Sequence, residues 1–129
     1  MRKLLTLCGI TAALFAGAAS GAAAQENADV LATYTAWGPG RASSATYNNA
    51  NNHYVIRDRA SDNRAVAVIF QRANGVIVGF QSCHEGAGQS CPGDLPRTVT
   101  GRLYMRAGVG LGPNPTGYRW GAAVVIPNA

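Results

Sequence analysis

Lysine is almost missing from this chain: it occurs once, as Lys3, and every other basic residue is arginine. Beyond the first few residues, Schiff-base and general-base lysine chemistry is therefore excluded. Histidine is nearly as scarce, with only His53 and His84. Hydrolytic catalysis needs a nucleophile, a base and a group that orients the base. There is no Gly-x-Ser-x-Gly elbow, and the adjacency of His84 and Glu85 does not make two side chains face each other. Acids are few as well, and Asp58, Asp62 and Asp94 fall in predicted turns, where a carboxylate usually bonds its own backbone. No pair of them is marked for glycosidase work. Gly108-Val109-Gly110-Leu111-Gly112 is glycine-rich, but neither a Lys nor a helix follows it, so it reads as a flexible loop rather than a phosphate cradle. The expectation is a protein without enzymatic activity, cofactor or metal.

What is present begins at the N-terminus. Met1-Arg2-Lys3 is a short basic start, Leu4 to Ala19 is largely apolar, and Ala22-Ala23-Ala24 supplies small residues at a cleavage position. That pattern predicts a signal peptide over residues 1–24, too short and Ala/Gly-rich for a membrane anchor. Residues 25–129 then form a single secreted β domain, extracellular or wall-associated. It carries nine Arg against six acids, a formal charge of +3. This is mildly basic and argues against a dedicated nucleic-acid binder. The arginine excess reads either as anion recognition or as compositional bias.

Cys8 falls inside the leader, which leaves Cys83 and Cys91. An even number of cysteines in an exported chain reads as a disulfide. Closing so short a ring is worth roughly 2.5 kcal/mol in the loop-entropy model. A metal pair with His84 fits no standard zinc spacing.

No stretch after the leader has a helical period. Short apolar segments set among Gly, Asn, Pro and β-branched residues predict an all-β domain, a small antiparallel sandwich or barrel. The predicted strands are 30–37, 53–58, 65–72, 76–83, 98–106 and 118–126. Asn74-Gly75 marks a hairpin. A three-residue loop pairs Phe70 with Val78 and Val68 with Phe80, gathering every large apolar side chain except Ile69 and Ile77 on one face. A two-residue loop sets Phe70 opposite Gly79. Register follows the buried face, so the three-residue loop is expected, a type I turn with Gly75 left-handed. Pairing Ile56 with Val66 would extend the hairpin into a central three-stranded meander and set Asp58 opposite Arg64.

Between these strands, 38–52 reads as a long polar loop with at most an irregular edge strand around Tyr47. Cys83 and Cys91 tether a second loop that carries His84 and Glu85. Such loops are where function concentrates. The candidate binding surface is Trp37, Arg41, Tyr47, Arg57, Arg59 and Arg64 with His84 and Glu85, and Trp37 before Gly38-Pro39-Gly40 is the aromatic expected to be partly exposed.

The segment Tyr54-Val55-Ile56-Arg57-Asp58, followed by Ser61-Asp62-Asn63-Arg64-Ala65-Val66-Ala67-Val68, resembles small secreted β proteins of actinobacteria that have no assigned activity. Those chains set an Asp at a strand end, then an Asp-Gly or Asp-Asn turn and an alternating strand, and many close a short loop with a later Cys pair. The likeness covers residues 54–91. It implies export and a β fold, and it carries no functional residue across. The function expected is an extracellular binding or interaction module, with cell-wall polysaccharide, an anionic polymer or another secreted protein as partner. The alternative is a protease inhibitor that presents the disulfide-braced loop.

Overall fold

The computed structural model describes residues 31–129. The leader at 1–24, the following residues 25–29 and the first residue of the predicted strand 30–37 lie outside the described residues.

Among the described residues nine strands run in order: β1 Thr33–Trp37, β2 Ser43–Asn48, β3 His53–Asp58, β4 Ala65–Gln71, β5 Ile77–Cys83, β6 Ser90–Asp94, β7 Leu103–Gly110, β8 Tyr118–Trp120 and β9 Val124–Ile126. They form two antiparallel sheets, β1-β2-β3-β6 and β5-β4-β7-β8, with β9 also pairing to β7. The two inner faces share one core that includes Ala45, Tyr47, Tyr54 and Ile56 from the first sheet and Val66, Val68, Phe70, Leu103 and Met105 from the second. Phe70 is the hub, with its ring 5.5 Å from Tyr47 and 5.4 Å from Tyr54. Period-two alternation drives this arrangement, because each strand can bury one row of side chains against the facing sheet. The protein is thus an all-β sandwich. Cys83 on β5 and Cys91 on β6 are disulfide-bonded, with their Cα atoms 5.8 Å apart, and the bond joins the two sheets.

Four expectations need correction. The strand at 53–58 forms as expected, but it pairs with β2 and β6 and not with β4. The meander expected over 53–83 therefore does not exist, and the three consecutive hairpinned strands are β1-β2-β3. Asp58 consequently lies opposite Ser43, not Arg64. The turn 59–64 carries the chain from one sheet to the other, which propensity at β3 and β4 cannot reveal.

The second correction concerns the stretch 38–52. It contains a full interior strand, β2, flanked by β1 and β3. Ser43, Ser44 and Ala45 are buried there although none is a strong strand former. Ser43 is admitted to the interior because its hydroxyl donates to the Gly108 carbonyl across the sandwich at 3.0 Å. Strand β6, rich in Ser, Pro and Gly, also escaped the sequence reading. Its place on the sheet edge suits Pro92.

The hairpin at 72–76 is the third. Gly75 donates its N–H to Arg72 at 3.0 Å and has φ of +90°, so the expected turn is present. Gln71 pairs with Ile77, but Phe70 pairs with Gly79 and Ile69 with Phe80. Val78 is an extra residue, a bulge that moves the rest of the hairpin into the other register. The reason lies outside the core. Strand β4 is buried on both faces, and Phe80 joins Ala65, Ala67, Tyr118 and Trp120 in a second cluster on the outer face. On the inner side, a Cβ at Gly79 would crowd the Leu95 and Phe70 side chains, so a larger residue there would have to displace them.

Fourth, the strand expected at 98–106 begins and ends later, as β7, and the stretch 118–126 divides into β8 and β9. Among the described residues no helix is long and apolar enough to cross a membrane.

Candidate functional site

Strand β1 alternates, so buried Ala36 faces the core and Trp37 faces outward. Trp37 pairs with Ser44, and Ser44 pairs with Arg57, so Trp37 and Arg57 lie in one row across the outer face of the first sheet. The chain then turns through Gly38-Pro39-Gly40-Arg41. Gly38 donates to the Ser43 carbonyl at 2.9 Å, Arg41 to Gly38 at 3.0 Å, and Ala42 to Pro39 at 3.1 Å. Gly40 has φ of +61° and Arg41 has φ of +58°. For glycine this region is free; for an arginine it is strained and calls for a reason.

The reason is visible in the contacts. The guanidinium carbon of Arg41 lies 4.3 Å from the centre of the Trp37 indole. That of Arg59 lies 5.0 Å from the same ring. Arg59 is brought there by its backbone, whose N–H donates to the Ala42 carbonyl at 2.9 Å and so ties the end of β3 to the turn after β1. Guanidinium groups stack on indole through the ring quadrupole. Among the described residues no carboxylate within 4.0 Å neutralises Arg41, Arg57 or Arg59, and the single ion pair is His53 with Asp94, at 2.9 Å. Asp58 stands between two of these arginines in sequence, but it is only 2% exposed and accepts the Ala60 N–H at 3.1 Å. A recess of about 290 Å³ opens beside it, lined by Arg57, Asp58, Arg59 and Gly88.

Gly88 belongs to the disulfide loop, which is laid along the end of β3. Gly88 donates to the Asp58 carbonyl at 2.8 Å, and Asp58 donates back to Gln89 at 3.0 Å. On the other side of that loop, His84 and Gly86 line a separate recess of about 270 Å³ with Asn63, Arg64, Ala65 and Leu111. The His84 ring nitrogen Nε2 is 3.2 Å from the Ser82 hydroxyl. Glu85 is exposed and lines neither recess.

The candidate residues therefore divide. Trp37, Arg41 and Arg59 converge, and Arg57 adjoins them. Arg64 and His84 sit apart. Tyr47 is not a surface residue: it is fully buried, against the Phe70 ring, and its hydroxyl accepts a hydrogen bond from the Asn52 amide at 3.1 Å. Desolvation in this position raises its pKa, and the Asn52 bond partly opposes the rise. Its flanking Asn residues pointed to a loop, whereas its alternation with Ala45 was the available sign of a buried strand face. The sequence reading also missed the contact of His53 with Asp94, which requires β3 to pair with β6. No group of three or more His, Cys, Asp or Glu side chains that would hold a metal comes together among the described residues.

Comparison with known proteins returns no match: no family model, no curated protein and no solved structure is similar to this chain.

Proposed function

We propose that this chain is an extracellular binding module that docks an anionic polymer against Trp37, Arg41, Arg57 and Arg59. One observation carries the reading: two guanidinium groups share one indole ring, with no carboxylate partner among the described residues. Like charges held together and left uncompensated favour a polyanion, whose arrival releases counterions and relieves the repulsion. The backbone supports the same reading, since Arg41 adopts a left-handed conformation that glycine would hold without strain. Secretion is part of the proposal. It rests on the leader pattern of residues 1–24 and on a disulfide of the kind that persists in oxidising compartments.

Protease inhibition is the weaker alternative. Gly86 and Gly88 have φ of +96° and +80°, so the loop curls and is not the extended strand that a protease cleft accepts. The loop is also hydrogen-bonded down onto β3.

The test is retention on immobilised dextran sulfate, with neutral dextran as control. The protein should bind the sulfated support, ignore the neutral one and elute with salt. The double variant Arg41→Ala/Arg59→Ala should elute at much lower salt. Equal retention of wild type and double variant would refute this surface as the docking face.

A further inference from the structure

The outer face of the second sheet holds a different recess, of about 430 Å³, lined by Gln71, Arg72, Ala73, Gly75, Tyr104, Arg106 and Ala123. Its size is within the usual range of small-ligand sites, about 300–1,000 Å³. Gln71 and Tyr104 are directly paired across β4 and β7, so their side chains stand side by side on one face. Arg106 lies two residues along from Tyr104, on the same face. Arg72 lines the recess at the hairpin end.

Both arginines are held by backbone carbonyls. Arg72 Nη1 donates to the Thr100 carbonyl at 2.6 Å and to the Arg102 carbonyl at 3.2 Å. Arg106 Nη1 donates to the Gly121 carbonyl at 3.2 Å. A carbonyl orients a guanidinium without cancelling its charge, and each planar fork keeps other N–H donors for a ligand. Gln71 donates through Nε2 to the Gly75 carbonyl at 3.3 Å, which leaves its side-chain oxygen as an acceptor. Among the described residues no acidic side chain lines the recess. The result is a preorganised set on one face: the Arg106 fork, one amide acceptor and one half-buried tyrosine.

We infer that this recess is a second binding site, independent of the Trp37 surface, and that it takes a carboxylated sugar. A guanidinium fork matches the planar carboxylate of a uronic acid in bidentate geometry. The apolar body of Tyr104 offers a platform for a pyranose ring, and its hydroxyl and the Gln71 oxygen suit sugar hydroxyls. A compact inorganic anion would use the charge and leave the aromatic platform idle.

The experiment is calorimetric titration of the disulfide-bonded protein with a galacturonic acid tetramer and with its methyl-esterified form. The acid should bind, and the ester at least tenfold more weakly. Arg106→Ala and Tyr104→Ala should each weaken binding of the acid by tenfold or more, while Tyr104→Phe should keep most of it. Arg106→Lys, which keeps the charge but loses the fork, should fall between wild type and Arg106→Ala and guards against a misfolded alanine variant. Arg59→Ala should bind the acid tetramer as wild type does, which separates this site from the dextran sulfate surface. The inference is overturned if the tetramer does not bind, if the ester binds equally well, or if Arg106→Ala has wild-type affinity.

Discussion

The Arg59 guanidinium carbon stands 5.0 Å from the centre of the Trp37 ring, although Trp37 ends β1, Arg59 follows β3, and β2 lies between those strands. The bond from the Arg59 N–H to the Ala42 carbonyl continues the β2–β3 ladder and sets Arg59 beside the turn that follows β1. The surface is therefore a product of sheet topology. It also makes Trp37 and Tyr47 opposites in consequence. Trp37→Ala should weaken dextran sulfate binding while thermal stability stays near wild type. Tyr47→Ala should cost about 3–5 kcal/mol, the usual penalty for emptying a large aromatic from a core, and leave little folded protein. Paired thermal melts and retention measurements distinguish the two.

Arg41 offers a sharper separation of binding from stability. Its φ of +58° costs about 1–2 kcal/mol that glycine does not incur. Arg41→Gly should therefore leave the melting temperature unchanged or raised while it lowers affinity for the polyanion. A large drop in stability would mean that the Arg41 side chain holds the turn together.

The disulfide joins the sheets through strands with few apolar residues of their own, β6 above all. Cys83→Ser/Cys91→Ser should destabilise the protein by about 2.5 kcal/mol on loop entropy, lowering the melting temperature by about 10–20 °C. Differential scanning calorimetry of oxidised, reduced and double-variant protein checks this. The loop against β3 should loosen as well, with faster amide exchange at Gly88, which donates to Asp58.

Burial raises the pKa values of Tyr47, Tyr54 and Tyr118 above the ordinary 10.0, with the Asp94 charge adding to the rise at Tyr54. The folded state thus favours the neutral phenols. Their contribution is complete below the unfolded value near 10 and is lost as pH rises beyond it, because above that value the folded protein binds more protons than the unfolded chain. Stability to denaturant should be flat approaching pH 10 and fall above it. Tyr54→Phe, which cannot ionise, should show a shallower fall, read from urea midpoints at successive pH values.

The fold class and the disulfide were legible because they depend on local signals. Alternation at Val66, Val68 and Phe70 marks a strand, and two cysteines in a chain with a leader mark a bond. What was hidden depends on partners distant in sequence. Ser43 and Ser44 read as loop because nothing local shows that Gly108 will accept the Ser43 hydroxyl. The two-sided burial of β4, which forces the bulge at Val78, becomes apparent only when Tyr118 and Trp120 cover its outer face. Trp37 was recognisable from the Gly-Pro-Gly that follows it. Its company of Arg41 and Arg59 was not, because it needs β2 to lie between β1 and β3. Tyr104 counted only as one of several aromatics in excess of a small core's need and Arg106 gave no signal, since alternation along a strand does not tell an outer recess from an ordinary surface.

The most direct test of the Trp37 surface is a fluorescence titration of the Trp120→Phe protein with dextran sulfate, in which Trp37 is the remaining indole of the folded domain. The emission should change saturably, neutral dextran should leave it unchanged, and apparent affinity should fall with salt at a log–log slope of about −2 to −3, as expected for about three arginine contacts. Arg41→Ala/Arg59→Ala should abolish the change. A Trp37 emission that ignores the sulfated polymer, or that responds equally in the double variant, would contradict the account.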